Sequence, residues 1–148
     1  MSDLTQQQPT NGAIDTRLKI SALWIATLFI FVYVDLFSLY RTDARAGLEQ
    51  GKLSVFDVNQ TFLFFTTFYV IVPSVMLYLT LIMPRRINRV VNIVVATVYA
   101  LTIIGSAVGE WNYFVLGSAA EATLLAVVVH HAWTWHLHPL PIPSTGGT

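Results

Sequence analysis

Four long apolar runs, each bounded by polar or turn-forming residues, organise this chain. The first extends from Leu18 to Tyr40, and at ~1.5 Å of helical rise per residue it crosses a hydrocarbon layer of about 30 Å. The second runs from Val58 to Met83, the third from Val90 to Val108 and the fourth from Tyr113 to Trp135. β-Branched residues crowd the third run, yet a helix is still predicted, because an unpaired strand edge in lipid leaves its amides without partners. The pattern therefore predicts an all-α, polytopic membrane protein, a four-transmembrane-helix bundle.

The polar segments between the runs are short. Residues 41–57 carry Asp43, Arg45, Glu49 and Lys52 with Gly47 and Gly51, which predicts a hydrated connection containing a short interfacial helix between Thr42 and Gln50. Asp57 and Gln60 have capping-box spacing at the start of the second run. Pro84 to Arg89 reads as a compact basic turn, and Gly109 to Asn112 as a tight hairpin with Asn112 as the N-cap of the last helix. Pro73, near the middle of the second run, removes an amide donor and crowds the carbonyl of Tyr69. A kink is expected there, and a neighbouring helix must satisfy the freed carbonyl.

Residues 1–17 and 136–148 are read as disordered cytoplasmic tails flanking a transmembrane domain of residues 18–135. Ala44, Arg45 and Ala46 give the A-x-A pattern of a signal-peptidase site, but the preceding apolar run is too long for a usual signal peptide. The first run is accordingly read as a retained anchor.

Composition agrees with a membrane environment. Hydrophobic residues make up 55% of the 148 and charged residues 11%, with mean hydropathy +0.62, far from the roughly one-quarter charged residues of a soluble domain. Net charge is zero, so no basic field attracts nucleic acid, and nucleic-acid binding is excluded as a function class. The absence of cysteine removes disulfides and thiolate chemistry. Orientation follows from Lys and Arg. With both termini inside, the cytoplasmic side carries Arg17, Lys19, Arg85, Arg86 and Arg89 against Arg41, Arg45 and Lys52 outside. This favours N-in/C-in in a cell membrane, with a bacterial inner membrane as the expected location.

The chemistry that stands out is two acids inside the apolar runs. Asp35 lies about five residues from the outer end of span one and Glu121 about nine from the outer start of span four, depths of roughly 8 and 13 Å on the same side at helical rise. An ionised carboxylate at mid-membrane costs on the order of 2.5–3.5 kcal/mol, and no Lys or Arg lies within the spans to offset it. Desolvation and mutual repulsion then favour the protonated acid, which suits proton transfer or a site for a cationic or hydroxyl-bearing ligand. The competing expectation is that both acids hydrogen-bond Thr66, Thr67 or Ser106 on neighbouring helices. Asn59 and Gln60 are candidates to extend the polar mouth, or are solvated helix ends. Asn92 is expected to hold the inner end of the bundle or to meet headgroups beside the three arginines.

Gly105 and Gly109 have G-x-x-x-G spacing, expected to pack span three against span four, with homodimerisation as the alternative. His130, His131, His136 and His138 cluster near the end of span four, but adjacent histidines point about 100° apart on a helix. They form no metal-binding pattern, and neither metal nor other cofactor is expected. Nucleophile elbows, phosphate loops and dinucleotide turns are also missing.

Tyr33, Asp35 and Leu39, then Pro73, then Asn88, Arg89 and Asn92, and finally Glu121 with Ala132 and Trp133 carry a resemblance. Over Leu18 to Trp135 the chain resembles a family of small bacterial four-helix integral membrane proteins of unknown function. The resemblance implies no activity. Where such proteins tend to carry an acid before the span-two proline, this chain has Val70 and Ile71, so a third intramembrane carboxylate is missing. The reading favoured by the residues is small-molecule binding or proton-linked transport through an acidic intramembrane pocket. The alternatives are a membrane enzyme using paired carboxyls on a lipophilic substrate, and a noncatalytic subunit of a larger membrane complex. The expected partners are the lipid bilayer and either a second copy or a larger membrane protein.

Overall fold

The computed structural model describes residues 15–53 and 56–135. Asp15 opens α1 (Thr16–Ser38), its carboxylate accepting from the Arg17 amide at 3.1 Å. A short α2 (Thr42–Glu49) follows, then the two-residue strands β1 (Lys52–Leu53) and β2 (Phe56–Asp57), paired antiparallel. The remaining helices are α3 (Gln60–Ile82), α4 (Arg85–Ser106) and α5 (Asn112–Trp133). Among the described residues the chain is all-helical apart from this small hairpin, and α1, α3, α4 and α5 are each long and apolar enough to cross a membrane.

Several local expectations are corrected. Asp57 is paired in β2, and Asn59 caps α3 instead, its side-chain oxygen accepting from the Phe62 amide at 2.9 Å. The stretch from Arg85 to Arg89 is the first turn of α4, because Pro84 at the N-cap supplies the entering backbone geometry without needing an amide partner. Asn112 is the first residue of α5, behind Trp111, and makes no cap. The hairpin was hidden because its strands are two residues each, too short for a periodic pattern to be read. α3 runs through Pro73 as one continuous helix.

The helices alternate in direction, so α2, the β-hairpin and the Ala107–Trp111 turn lie at one end, the hairpin end. Arg17, Arg89, Trp133 and Trp135 meet at the other, the arginine end. α5 packs along both α1 and α4, and α1 also packs along α3, whereas α3 and α4 approach each other closely at few points. Ile20 and Trp24 of α1, Met76 of α3, Ala96 of α4 and Leu125 and Val128 of α5 form the centre of the core. Large apolar side chains point outward on every long helix, among them Phe29, Phe64, Leu101 and Leu116. So much exposed apolar surface exceeds the isolated patches tolerated on a protein surrounded by water.

Gly117 brings α5 against α1: a Cβ there would run into the Val34 side chain. The expected packing of span three on span four through Gly105 and Gly109 is, by contrast, not found. A Cβ at Gly105 would meet nothing within 4 Å, and Gly109 lies beyond α4 in a turn with φ +83°, where it supplies a left-handed conformation. The small residue that matters to packing is on the other helix pair.

Candidate functional site: an acid-lined cleft at the hairpin end

The arginine end is sealed by a buried polar network. Trp24 Nε1 donates to Asn92 Oδ1 at 2.8 Å, Asn92 Nδ2 donates to Asn88 Oδ1 at 2.6 Å, and Asn88 Nδ2 donates to the Thr80 carbonyl. Thr80 Oγ1 returns to the Met76 carbonyl at 2.7 Å. All four of Trp24, Thr80, Asn88 and Asn92 are fully buried, and their groups satisfy one another, so three helices are tied by polar groups with no water required. Arg17 adds a bond to the Leu81 carbonyl near the end of α3. Arg89 stacks over Trp133, while Arg85 and Arg86 are exposed. Asn92 thus binds helices together and is not turned toward headgroups.

Above this plug stands an aromatic layer. Tyr69 and Tyr99 stack with centroids 4.5 Å apart, and Trp24 meets Tyr99 edge-on at 6.2 Å. The Tyr99 hydroxyl donates to the carbonyl of Tyr69, the group left without its helical donor by Pro73 four residues later. The neighbouring donor demanded by the proline is therefore Tyr99 of α4. Tyr69 in turn shares a hydrogen bond of 2.7 Å with Thr102, which bridges α3 and α4 where their backbones stay apart.

Toward the hairpin end all four long helices line a cleft of about 460 Å³. Asp35 of α1 and Glu121 of α5 both line it, with Thr66 and Tyr69 of α3 and Thr102 and Ser106 of α4. Phe31, Phe56 and Phe114 supply aromatic wall. Glu121 is only 3% exposed and takes part in no hydrogen bond or ion pair among the described residues. Asp35, on the more open side, is likewise unpaired among them. The expectation that Thr66, Thr67 and Ser106 bind these acids is not met. Each hydroxyl turns back to its own helix, Thr66 to the Phe62 carbonyl, Thr67 to Leu63 and Ser106 to Ile103, at 2.8–2.9 Å.

A wider, open groove of about 680 Å³ leads from outside to the cleft, sharing Phe56, Thr66 and Tyr69 with it. Asp57 and Asn59 stand on this groove, whereas Gln60 is exposed and lines neither space. Asn59 reaches the mouth only as a helix cap.

The basic side chains are all placed elsewhere. All eight Lys and Arg lie among the described residues, and none lines the cleft. Arg41, nearest in sequence to Asp35, is held by Asp43 and Glu110, each at 2.6 Å, and stacks 4.6 Å above the Trp111 ring. Hydrogen bonds donated to Asp43 and then to Glu110 raise the Arg41 pKa above its ordinary value, and the same pairing lowers that of Asp43. This clasp joins the α1–α2 connection to the turn before α5, assisted by the Ser38–Tyr113 hydrogen bond of 2.9 Å. No group of three or more His, Cys, Asp and Glu side chains able to hold a metal occurs among the described residues. His130 and His131 sit side by side in the last turn of α5, and His136 and His138 lie outside the described residues.

Sequence reasoning picked out both acids and the Tyr69 carbonyl, and missed the Tyr69 ring in the cleft wall, the burial of Trp24 against Asn92, and Tyr99, Gly117 and Glu110. A usable signal was present for part of the cleft, since Thr66 with Tyr69, Thr102 with Ser106, and Ser118 with Glu121 each recur at three- or four-residue spacing on one helical face. No curated protein and no solved structure matches the chain. The chain belongs to the family of unknown function DUF6326, whose model matches residues 13–141.

Proposed function

We propose that this is a multi-pass membrane protein of the bacterial inner membrane that binds a small molecule in the Asp35–Glu121 cleft, with ligand occupancy linked to protonation of those acids. In this reading the arginine end faces the cytoplasm, in keeping with the clustering of Arg17, Lys19, Arg85, Arg86 and Arg89 there. The observation that carries the proposal is Glu121, a buried acid with no partner of its own facing a cleft large enough for a ligand. Carboxyls retained only to fasten helices together would be expected to bond across the interface. The Thr66 and Ser106 hydroxyls are instead turned back on their own helices.

The polar plug beneath the cleft gives one copy a binding site open toward the hairpin end. Carriage across the bilayer would call for a second copy or a larger partner. Native mass spectrometry of the gently extracted full chain tests the reading. Small-molecule adducts are expected on the wild type, to change in occupancy across the acidic-to-neutral pH range, and to be lost from Glu121→Gln and Asp35→Asn chains that elute as folded protein. Adducts of equal occupancy in both variants at every pH would refute it.

A further inference from the structure

Resting on that reading of the cleft, we infer that its ligand is a lipophilic organic cation, such as a protonated amine or quaternary onium group on an aromatic or alkyl body. The case starts from charge. Glu121 and Asp35 face the same space, and Asp57, the cross-strand partner of Lys52, stands on the groove that approaches it, so the acids of the path outnumber the one base beside it. No Lys or Arg lines the cleft or the groove, and Arg41 is committed to Asp43 and Glu110. A buried carboxylate without a partner is strongly penalised, so Glu121 either keeps its proton or receives a cation from outside the chain. An anionic ligand would add repulsion to that penalty.

The walls supply the rest of the specificity. Phe31, Phe56, Phe114 and Tyr69 present ring faces or edges to the cleft, and Phe56 is stacked on Phe62 at 5.7 Å where the groove begins. Aromatic surface beside carboxylates favours a cation carrying an apolar body, since the ring quadrupole attracts the charge and burial rewards the body. The hydroxyls of Thr66, Thr102 and Ser106 already donate to carbonyls of their own helices, which leaves them little to offer an anion. Binding is then an exchange. The cation enters, a carboxyl releases its proton toward the hairpin end, and the carboxylate left behind pairs with the cation.

The test uses the full chain in lipid nanodiscs with three probes of similar shape: tetraphenylphosphonium, neutral triphenylphosphine oxide and tetraphenylborate anion. Binding is read by equilibrium dialysis, with empty discs subtracted. Saturable tetraphenylphosphonium binding is expected to tighten by up to about tenfold per pH unit where one carboxyl loses its proton, with about one proton released per cation in weakly buffered solution. Glu121→Gln should weaken it at least about tenfold and flatten the pH slope, while Gly105→Ala, on the outer face, leaves it unchanged. Equal or tighter saturable binding of the neutral or anionic probe would overturn the cation assignment. So would cation binding without proton release by the wild type, a readout that does not depend on any variant folding. If the copurified adduct still responds to Glu121→Gln, the ligand class falls and the cleft reading survives; if the adduct is also indifferent, both fall.

Discussion

Replacing Tyr99 by Phe removes one hydroxyl and leaves the ring in place, stacked on Tyr69 and edge-on to Trp24. The lost bond is the one to the Tyr69 carbonyl, which Pro73 has deprived of its own helical donor. Interhelical hydrogen bonds in membranes average only about 0.6 kcal/mol and reach about 1.7, because separated helices find other partners. An unsatisfied buried carbonyl costs about 1–3 kcal/mol, and in this helix Pro73 removes the ordinary internal substitute. Tyr99→Phe is therefore expected to destabilise the bundle by about 1.5 kcal/mol, toward the top of the membrane range. The decisive comparison is a double-mutant cycle with Pro73→Ala, which restores an amide donor four residues after Tyr69. In that background the same substitution should cost less than about 0.5 kcal/mol, giving a coupling of about 1 kcal/mol. Unfolding titrations in mixed micelles, followed by circular dichroism, measure all four corners. Equal costs of Tyr99→Phe in the two backgrounds would show that the hydroxyl does not serve the carbonyl freed by the proline.

Asn92→Ala should cost about 2–3 kcal/mol in the same titration, because it strips partners from Trp24, Thr80 and Asn88 together, and should shift the emission of buried Trp24. Gly117→Val should push α5 off α1 and lower stability, whereas Gly105→Ala should leave it unchanged or raise it by up to about 1 kcal/mol through helix propensity; the opposite ranking would show that the conspicuous glycine pair is the packing motif. The Arg41 clasp should open in acid. Asp43 has a lowered folded-state pKa, so its stabilising contribution is fully present above the unfolded carboxylate value and is lost as pH falls through the folded one. Fluorine NMR of a fluorotryptophan-labelled chain should show the Trp111 signal moving over that acidic window and not in Arg41→Gln. For orientation, single cysteines at Glu49 and Val108 should react with an impermeant thiol reagent on one side of a sealed vesicle and one at Arg86 on the other. Those positions are exposed, unlike Asn88, which is fully buried in the polar network.

The sequence by itself determined the four long helices, because apolar runs of this length leave the backbone of a lipid-exposed segment one economical way to satisfy its hydrogen bonds. It also singled out Asp35 and Glu121, since an acid in such a run stands out against its neighbours, and it identified the Tyr69 carbonyl through the fixed four-residue reach of Pro73. Each of these is a local property of a helix. Tertiary structure alone decided that Tyr99 answers that carbonyl from 30 residues away, that Asn92 turns to Trp24 across 68, and that Arg41 is taken by Glu110 and is not offered to Asp35. It also decided that Gly117, with no paired glycine to advertise it, is where α5 comes too close to Val34 of α1 to admit a side chain. Which face of a helix meets which neighbour depends on how four nearly uniform apolar cylinders rotate against one another. In α1, α3 and α5, with apolar residues on every side and weak amphipathic bias, the sequence pattern leaves that rotation open until side chains interlock.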